Sequence, residues 1–167
     1  MHGMNEPLWW ITKDGDDYCR ELFDRHYSRR FYRDGRKPLL FCGPGEKLVL
    51  RTWEADALFV WRKFRDDSGQ TGINCAIFRN ESKRRSSELV RQADAIADFC
   101  WPSERHYTYV DAEKVKSINP GYCFKVAGWT TCGMTKWWWR WSCASISPLP
   151  SAPVGAVWVI WPRRHTG

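Results

Sequence analysis

The sequence predicts an α/β protein with a central mixed β-sheet flanked by helices. Apolar runs of strand length alternate with runs of helical periodicity in the order β-α-β-β-β-α-β-α-β. Strands and helices alternate from residue 73 onward, which makes part of the sheet parallel. Residues 73–78 (INCAIF) are almost entirely apolar, as expected for a central strand that is buried on both faces.

The chain begins with a short strand and a helix. Residues 8–12 (LWWIT) are apolar and predict the first strand. A polar turn follows, in which Asp16 or Asp17 is available as the helix N-cap. Apolar residues then recur at helical spacing as far as His26 or Tyr27, which predicts the first helix.

A basic loop and a β-hairpin come next. Residues 29–37 (RRFYRDGRK) combine cations, aromatic rings and a glycine, which is typical of a loop. Residues 48–53 and 57–64 are strand-like runs with a short polar segment between them. That spacing predicts a β-hairpin, which leads to the central strand.

The second half alternates between the two kinds of element. A cationic segment (79–87) leads into a second helix, which ends before Pro102. Residues 106–110 (HYTYV) predict a strand, residues 119–128 contain a short helix that ends at a glycine, and residues 129–136 predict a further strand.

We expect residues 1–136 to form one domain and residues 137–167 to form a Trp-rich C-terminal extension. The chain has 167 residues, an ordinary size for a single domain. Within the extension, the Ser/Pro-rich residues 145–153 resemble a linker, and residues 157–161 predict an added edge strand. The WWWRWS segment suits either stacking on unpaired bases or a hydrophobic edge.

The net charge and the cysteines restrict the class of partner and the compartment. A net charge of +7 favours a polyanionic partner, either nucleic acid or a phosphorylated cofactor such as CoA. The seven cysteines are odd in number and contain no CxxC pair, so we expect no zinc site. Without a secretory signal pattern or a run of about 18 apolar residues, the expected location is the reducing cytoplasm.

The segment between the central strand and the second helix has the composition of a phosphate site. A helix N-terminus presents unpaired N–H groups and the positive end of the helix dipole. Four residues add charge and hydroxyl groups there: Arg84, Arg85, Ser86 and Ser87. A solvated cationic loop capped by a serine is the alternative.

Residues 119–129 (NPGYCFKVAGW) resemble the last helix and strand of the GNAT acyltransferases, whose pattern is N-x-x-A-x-x-x-Y-E-K-x-G-F. The preceding strand, cationic turn and helix occur in the same order, so the resemblance covers about residues 8–136. It implies a GNAT-like fold, with the strand at 73–78 along the pantetheine arm of CoA. It also implies that the turn at 84–88 binds the pyrophosphate through backbone N–H groups.

The chain departs from that family at two places. The usual turn R-x-x-G-x-G/A is replaced by Arg-Arg-Ser-Ser-Glu, which contains no glycine. Phe124 stands where the family has its tyrosine general acid. Tyr122 is two residues away, about 200° around a helix, and cannot simply replace it.

Four blocks together resemble a group of phage and prophage proteins that are GNAT-like and similar to the Mom-type DNA-modification proteins. The blocks are HYSRR, FRNES, SSEL and NPGYCFKVAGW. The resemblance implies an enzyme that uses acetyl-CoA or another acyl-CoA to modify a base in bacteriophage DNA, with adenine N6 as the expected acceptor.

Five residues are candidates for catalysis on the acceptor side. His26, Tyr27 and Ser28 offer a base, an aromatic hydroxyl and an aliphatic hydroxyl, and we expect the pKa of His26 to lie near neutrality. Partly buried packing residues are the alternative. Asn80 and Glu81 follow the central strand, and Glu81 is either a general base or a helix-entry carboxylate.

The remaining candidates bind the two anionic partners. For the CoA side they are Phe78, Arg79, Arg84, Arg85, Ser86, Ser87, Asn119 and Tyr122. For DNA they are Arg29, Arg30, Arg33 and Arg36. Two other functions remain open: an ordinary N-acetyltransferase acting on a small amine or a protein, and a non-catalytic binding protein on a GNAT scaffold, such as an anti-defence protein.

Overall fold

Helices and strands follow one another in nearly the predicted order. The structure is a computed structural model that describes residues 6–65 and 71–131 and the backbone of three further strands. The elements are β1 (Trp10–Thr12), α1 (Asp17–Asp24), β2 (Glu46–Arg51), β3 (Ala57–Lys63), β4 (Ile73–Asn80), α2 (Ser86–Cys100), β5 (His106–Thr108), α3 (Tyr122–Val126), β6 (Thr130–Thr131), β7 (Gly133–Thr135), β8 (Trp138–Arg140) and β9 (Val159–Ile160).

The main sheet is mixed, as the sequence predicts. Its strand order is β1-β2-β3-β4-β5-β9-β6. Strands β4 and β5 are parallel, and the other described pairs are antiparallel. Strands β7 and β8 form a separate antiparallel pair. The predicted α/β class and the hairpin formed by β2 and β3 are therefore confirmed.

Two expectations about the C-terminal region are wrong. The single strand expected at 129–136 is two short strands, β6 and β7, which belong to different sheets. The strand expected at 157–161 is not an edge strand, because β9 pairs with β5 on one side and with β6 on the other. The predicted linker at 145–153 lies outside the described residues.

Helix α1 begins where the sequence predicts and ends earlier. The Asp16 carboxylate is the N-cap and accepts a 3.0 Å hydrogen bond from the backbone N–H of Cys19. The helix ends at Asp24, so His26 and Tyr27 lie just beyond it. They therefore belong to the start of the loop that connects α1 to β2.

The sheet separates two layers of core. Side chains alternate between the faces along β2 and β3, because the strand period is two. On one face, Val49, Leu58 and Val60 pack against Leu22 of α1. On the other face, Phe59 and Trp61 pack with residues of α2 and α3. Each helix layer therefore has its own hydrophobic contact with the sheet.

A buried polar cluster joins α2 to the sheet. The Asp94 carboxylate, 3% exposed, accepts a 2.7 Å hydrogen bond from Trp129 Nε1 and lies 3.0 Å from His106 Nδ1. Burial raises the pKa of Asp94, and the hydrogen bonds from its two partners oppose that rise. Since an unpaired buried polar group costs stability, the three side chains depend on one another.

Strand β4 has two irregularities that shape its surroundings. Val60 pairs with Ile77 and Trp61 pairs with Cys75, so Ala76 is the extra residue of a β-bulge. The ladder between β4 and β5 covers only three residue pairs and ends at Cys75. The rest of β4, residues 76–80, is called its outer half below.

Candidate functional site

The loop at residues 25–45 encloses a strongly cationic cavity on the α1 face of the sheet. The volume of the cavity is about 410 Å³. Six cationic side chains and a single carboxylate line it. We call this site the cationic cavity, and its charged lining residues are Arg20, Asp24, Arg29, Arg30, Arg36, Lys37 and Arg62. Such an excess of positive charge in a concave site attracts phosphate groups.

The walls of the cationic cavity also offer flat apolar surface. The rings of Phe23 and Phe41 are stacked, with centroids 5.2 Å apart, and Tyr32 contributes a third aromatic ring. Ala76 and Ile77 line the cavity from the sheet side, where the β4 bulge brings two consecutive residues to this face. The combination of cations with aromatic rings suits a ligand that carries both phosphate and a planar ring.

Hydrogen bonds from the cations hold the loop over the sheet. Arg20 Nη2 donates to the backbone oxygen of Lys37 at 2.7 Å, and Arg62 Nη1 donates to that of Cys42 at 3.0 Å. Gly43 has a φ of 77°, and a Cβ there would collide with the Arg62 guanidinium. The glycine thus permits the close approach of the loop to Arg62.

Three of the four arginines predicted to bind DNA line the cationic cavity. They are Arg29, Arg30 and Arg36, whereas Arg33 is exposed on the same loop outside the lining. Arg29 Nε lies 3.3 Å from an Asp24 carboxylate oxygen. Arg30 has no ion-pair partner in the part of the chain that the structure describes.

Ser28 connects this cavity to β4 through His26. The Ser28 hydroxyl lies 2.7 Å from His26 Nδ1, and the Ser28 backbone N–H donates to the same nitrogen at 3.2 Å. Because a backbone N–H can only donate, Nδ1 is an acceptor and the neutral ring carries its proton on Nε2. The ring also makes a hydrogen bond with the backbone of Phe78 in the outer half of β4.

The pKa of His26 differs from the expectation of a value near neutrality. The residue is 8% exposed, and burial lowers its pKa to about 4, with a further contribution from the positive charge of Arg79. The imidazole is therefore neutral at physiological pH. It can accept a proton through Nδ1 only as a weak base.

The ring of Tyr27 stacks on that of His26, with centroids 4.4 Å apart and an interplanar angle of 28°. Burial raises the pKa of Tyr27 to about 12, and a hydrogen bond with the backbone of Asp111 opposes that rise. The thiols of Cys75 and Cys123 are also close enough to raise the pKa. The phenol is therefore protonated at neutral pH and lies between residues of β4 and α3.

Glu81 forms ion pairs with Arg25, which follows α1, and with Arg79, near the end of β4. Its carboxylate makes two 2.8 Å hydrogen bonds with the Arg25 guanidinium and a further one with Arg79. The hydrogen bond from Arg25 is the main cause that lowers the pKa of Glu81 to about 2, and Arg79 adds to it. A carboxylate held in this way suits positioning better than proton abstraction.

Asn80 organises the turn that leads into α2. Its Nδ2 donates to the backbone oxygen of Arg84 and to the Ser86 hydroxyl, both at 2.9 Å, and its Oδ1 accepts from Ser82. No side chain caps α2 at Arg85. The exposed Arg84 and Arg85 therefore lie beside backbone N–H groups that no capping side chain occupies.

Of the other residues predicted to bind CoA, Ser87 is buried in the first turn of α2, whereas Phe78, Asn119 and Tyr122 lie in or near α3. Phe124 is 5% exposed and packs edge-on against Phe78 with centroids 6.0 Å apart, so both rings belong to the core contacts of this region. Tyr122 is 59% exposed. Asn119 accepts a 3.2 Å hydrogen bond from Lys125 Nζ. Cys123 of α3 is close enough to Tyr27 to affect its pKa, so α3 lies near the Tyr27 phenol.

Sequence reasoning missed three cations of the cavity. Lys37 is the last residue of the predicted basic loop (29–37), so the sequence pattern already includes it. Arg20 lies on α1 and Arg62 on β3, and neither has a local pattern that separates it from an ordinary surface cation. Only the folding of the loop back over the sheet brings them to one site.

Comparisons with known proteins leave the family open. No protein-family model matches the chain, and neither a curated protein nor a solved structure matches it significantly. Within residues 6–65 and 71–131, no three His, Cys, Asp or Glu side chains are grouped as a metal ion requires. None of the described helices is long and apolar enough to cross a membrane.

Proposed function

We propose that this protein is a GNAT-like transferase that uses an acyl-CoA to modify a base in DNA, with adenine N6 as the favoured acceptor. The main support for the proposal is a series of contacts that leads from the cationic cavity through Ser28 and His26 to β4. Ser28 lines the cavity, its hydroxyl contacts His26, and His26 contacts the backbone of Phe78. A polyanion site and the strand expected to bind a thioester are therefore joined through two candidate catalytic side chains.

The residues at the start of α2 fit the pyrophosphate of CoA. The entry turn combines the guanidinium groups of Arg84 and Arg85 with the uncapped N–H groups of the first helical turn. Asn80 holds this turn in place through its hydrogen bonds to Arg84 and Ser86.

Tyr27 supports the proposal as the proton donor. Phe124 has no hydroxyl and is buried, so it cannot donate a proton. Tyr27 brings a phenol to the same region, near Cys123 of α3, and the raised pKa keeps it protonated. An acyl-CoA supplies an electrophilic carbonyl carbon and a thiolate leaving group. Tyr27 Oη carries a proton that this thiolate can take, although the raised pKa makes the phenol a weaker acid than an ordinary tyrosine.

Ser28 and His26 support the proposal as the proton acceptor. The exocyclic nitrogen of adenine is a poor nucleophile, because its lone pair is delocalised into the ring. Once that nitrogen attacks a carbonyl it becomes strongly acidic, so a weak base is sufficient. The Ser28 hydroxyl can take this proton while it passes its own proton to Nδ1 of the neutral His26 ring.

Nucleoside analysis tests the proposed function. Purified protein is incubated with acetyl-CoA and plasmid DNA, the DNA is digested, and the nucleosides are analysed by mass spectrometry. We expect a nucleoside heavier by one acyl group. Tyr27→Phe and His26→Ala should lower its yield by about a hundredfold or more, the usual contribution of a general acid or base.

The matched control is Tyr18→Phe, which removes a hydroxyl from an exposed tyrosine of α1 that does not line the cationic cavity. This variant should retain full yield. If wild-type protein forms no modified nucleoside with any acyl-CoA tested, the transferase proposal is wrong. Salt-sensitive DNA binding without transfer would then favour the non-catalytic binding protein, in agreement with the absence of a hydroxyl at Phe124.

A further inference from the structure

The loop beside the cationic cavity carries an exposed aromatic side chain. Phe31 is 77% exposed, and the Arg29 guanidinium lies over its ring at 4.5 Å from the centroid. Tyr32 and Arg36 form a second such pair at 4.4 Å. Single exposed apolar side chains are common on protein surfaces. Phe31 differs from the exposed Phe99 in its position, because its ring lies under the guanidinium of an arginine that lines the cationic cavity.

The shape of the cavity limits which DNA can react there. Ser28 faces a concave site of about 410 Å³ rather than a flat surface. The bases of an intact duplex are stacked and paired, so a base cannot reach a concave site without leaving the stack. A base that leaves the duplex loses its stacking on the neighbouring bases. The stacked rings of Phe23 and Phe41 offer an aromatic surface on which it can stack instead.

We propose that a single nucleotide turned out of a DNA duplex occupies the cationic cavity, and that Phe31 enters the duplex at the place the nucleotide leaves. This inference rests on the proposed function, since it assumes that DNA is the acceptor. Apolar side chains that insert between base steps compensate for lost stacking. Arg29 stays beside the ring of Phe31, so insertion brings a positive charge to the neighbouring phosphates.

The charges of the cavity fit the phosphates of the turned-out nucleotide. Arg30 has no ion-pair partner among the described residues, and Arg36 pairs only with the exposed Asp34 at 3.4 Å. Binding of a phosphate would cost Arg36 only a weak surface ion pair, and it would cost Arg30 no ion pair. The base then lies among the aromatic side chains that line the cavity together with Ser28.

The test compares three DNA substrates in both binding and acyl transfer. They are a fully matched duplex, the same duplex with a mismatch at the target base, and the single strand. A mismatched base costs less to turn out, so wild-type protein should bind the mismatched duplex more tightly than the matched one. Fluorescence of 2-aminopurine placed beside the target base should rise on binding of the matched duplex, because the base stack opens.

Phe31→Ala is the decisive variant and Phe99→Ala is its matched control. Phe99 is 87% exposed on α2 and does not line the cationic cavity. Phe31→Ala should lower binding and transfer on the matched duplex by more than about tenfold, since insertion offsets unstacking. The decrease should be no more than about twofold on the mismatched duplex and the single strand, where the target base is already unstacked. Phe99→Ala should behave as wild type.

The outcomes separate this inference from the proposed function. Equal decreases for Phe31→Ala on all three substrates, or no decrease on any of them, overturn the inference even if acyl transfer is observed. A decrease in binding for Phe31→Ala that is confined to the matched duplex supports the inference even if no acyl group is transferred, while the transferase proposal then fails. Complete absence of DNA binding at low salt overturns both.

Discussion

The hydroxyl of Ser28 lies 2.7 Å from Nδ1 of His26, and both residues follow the C-terminal end of α1. This contact makes Ser28 the polar link between the cationic cavity and β4. It also requires Nδ1 to be unprotonated, because the Ser28 backbone N–H donates to the same atom. The contact is therefore specific to the neutral imidazole.

Stability should depend on pH through His26. The folded state holds the pKa of His26 at about 4, below its ordinary value of 6.5, because the ring is buried. Between these pH values the unfolded chain binds a proton that the folded chain does not, so the free energy of unfolding falls as the pH falls from 6.5 to 4. The corresponding decrease is of the order of 3 kcal/mol.

Chemical denaturation of wild-type protein and of His26→Gln at several pH values measures this effect. Other titrating groups are common to both proteins, so the difference between the two free energies isolates His26. That difference should change between pH 6.5 and 4 and become constant below pH 4. A difference that is the same at every pH in this window would contradict the low pKa.

Removal of the Asp94 carboxylate should destabilise the fold. Asp94→Ala leaves Trp129 Nε1 without its acceptor and deprives His106 of its 3.0 Å contact, in a region with no access to water. An unsatisfied buried group costs about 1–3 kcal/mol, which lowers the melting temperature by several degrees. Thermal unfolding followed by circular dichroism measures the change.

Asp98→Ala is the control for that experiment. Asp98 lies one helical turn later, its side chain is 54% exposed, and its carboxylate is 3.4 Å from His106 Nε2. Its removal should change the free energy of unfolding by less than about 1 kcal/mol, because this half-exposed carboxylate makes no hydrogen bond with His106 that would be lost. If the two variants lowered the free energy of unfolding equally, the buried hydrogen bonds of Asp94 would contribute no more to stability than an exposed carboxylate does.

DNA binding should depend steeply on salt through the cavity cations. Log affinity should fall linearly with log salt concentration, with a slope of about −0.9 for each phosphate neutralised. Replacing Arg30 and Arg36 with alanine should make the slope shallower by about 0.9 for each phosphate that is no longer neutralised. Fluorescence anisotropy with labelled duplex measures the slope at several salt concentrations.

The control pair is Arg91→Ala with Lys116→Ala, which removes the same charge from α2 and from the segment before α3, outside the cationic cavity. It should leave the slope close to that of wild-type protein. If the two pairs change the slope equally, binding follows the overall net charge and the cavity is not the DNA site.

CoA should raise the melting temperature through the turn that leads into α2. A ligand at a hundredfold over its dissociation constant stabilises the folded state by about 2.7 kcal/mol, and each kcal/mol shifts the melting temperature by about 2–4 °C at this chain length. Arg84→Glu with Arg85→Glu should abolish the shift, because two repulsive charges then face the phosphates. Differential scanning fluorimetry with and without CoA measures it.

Arg91→Glu with Lys116→Glu gives an equal change of net charge elsewhere and should retain the shift. A wild-type protein whose melting temperature is unaffected by millimolar CoA would exclude the cofactor. Disappearance of the shift in both variants would indicate nonspecific attraction of the anionic cofactor to a basic protein.

The amino-acid sequence by itself determined the order of the elements as far as α3. Local signals were sufficient there, because hydrophobic periodicity and caps act over a few residues: Asp16 caps α1 as predicted, and the apolar run at 73–78 lies in the central strand β4. The charge run at 29–37 likewise contains four of the six cations that line the cavity, because Arg29, Arg30, Arg36 and Lys37 lie in one loop.

Only the tertiary structure decided the rest of the cavity, the protonation state of His26 and the position of β9. Arg20, Arg29 and Arg62 come from a helix, a loop and a strand, and they meet because the loop at 25–45 folds back over the sheet. The pKa of His26 depends on burial, which no local pattern records. Strand β9 pairs between β5 and β6 because sheet register is set by long-range contacts between segments distant in the chain, which periodicity within one segment cannot specify.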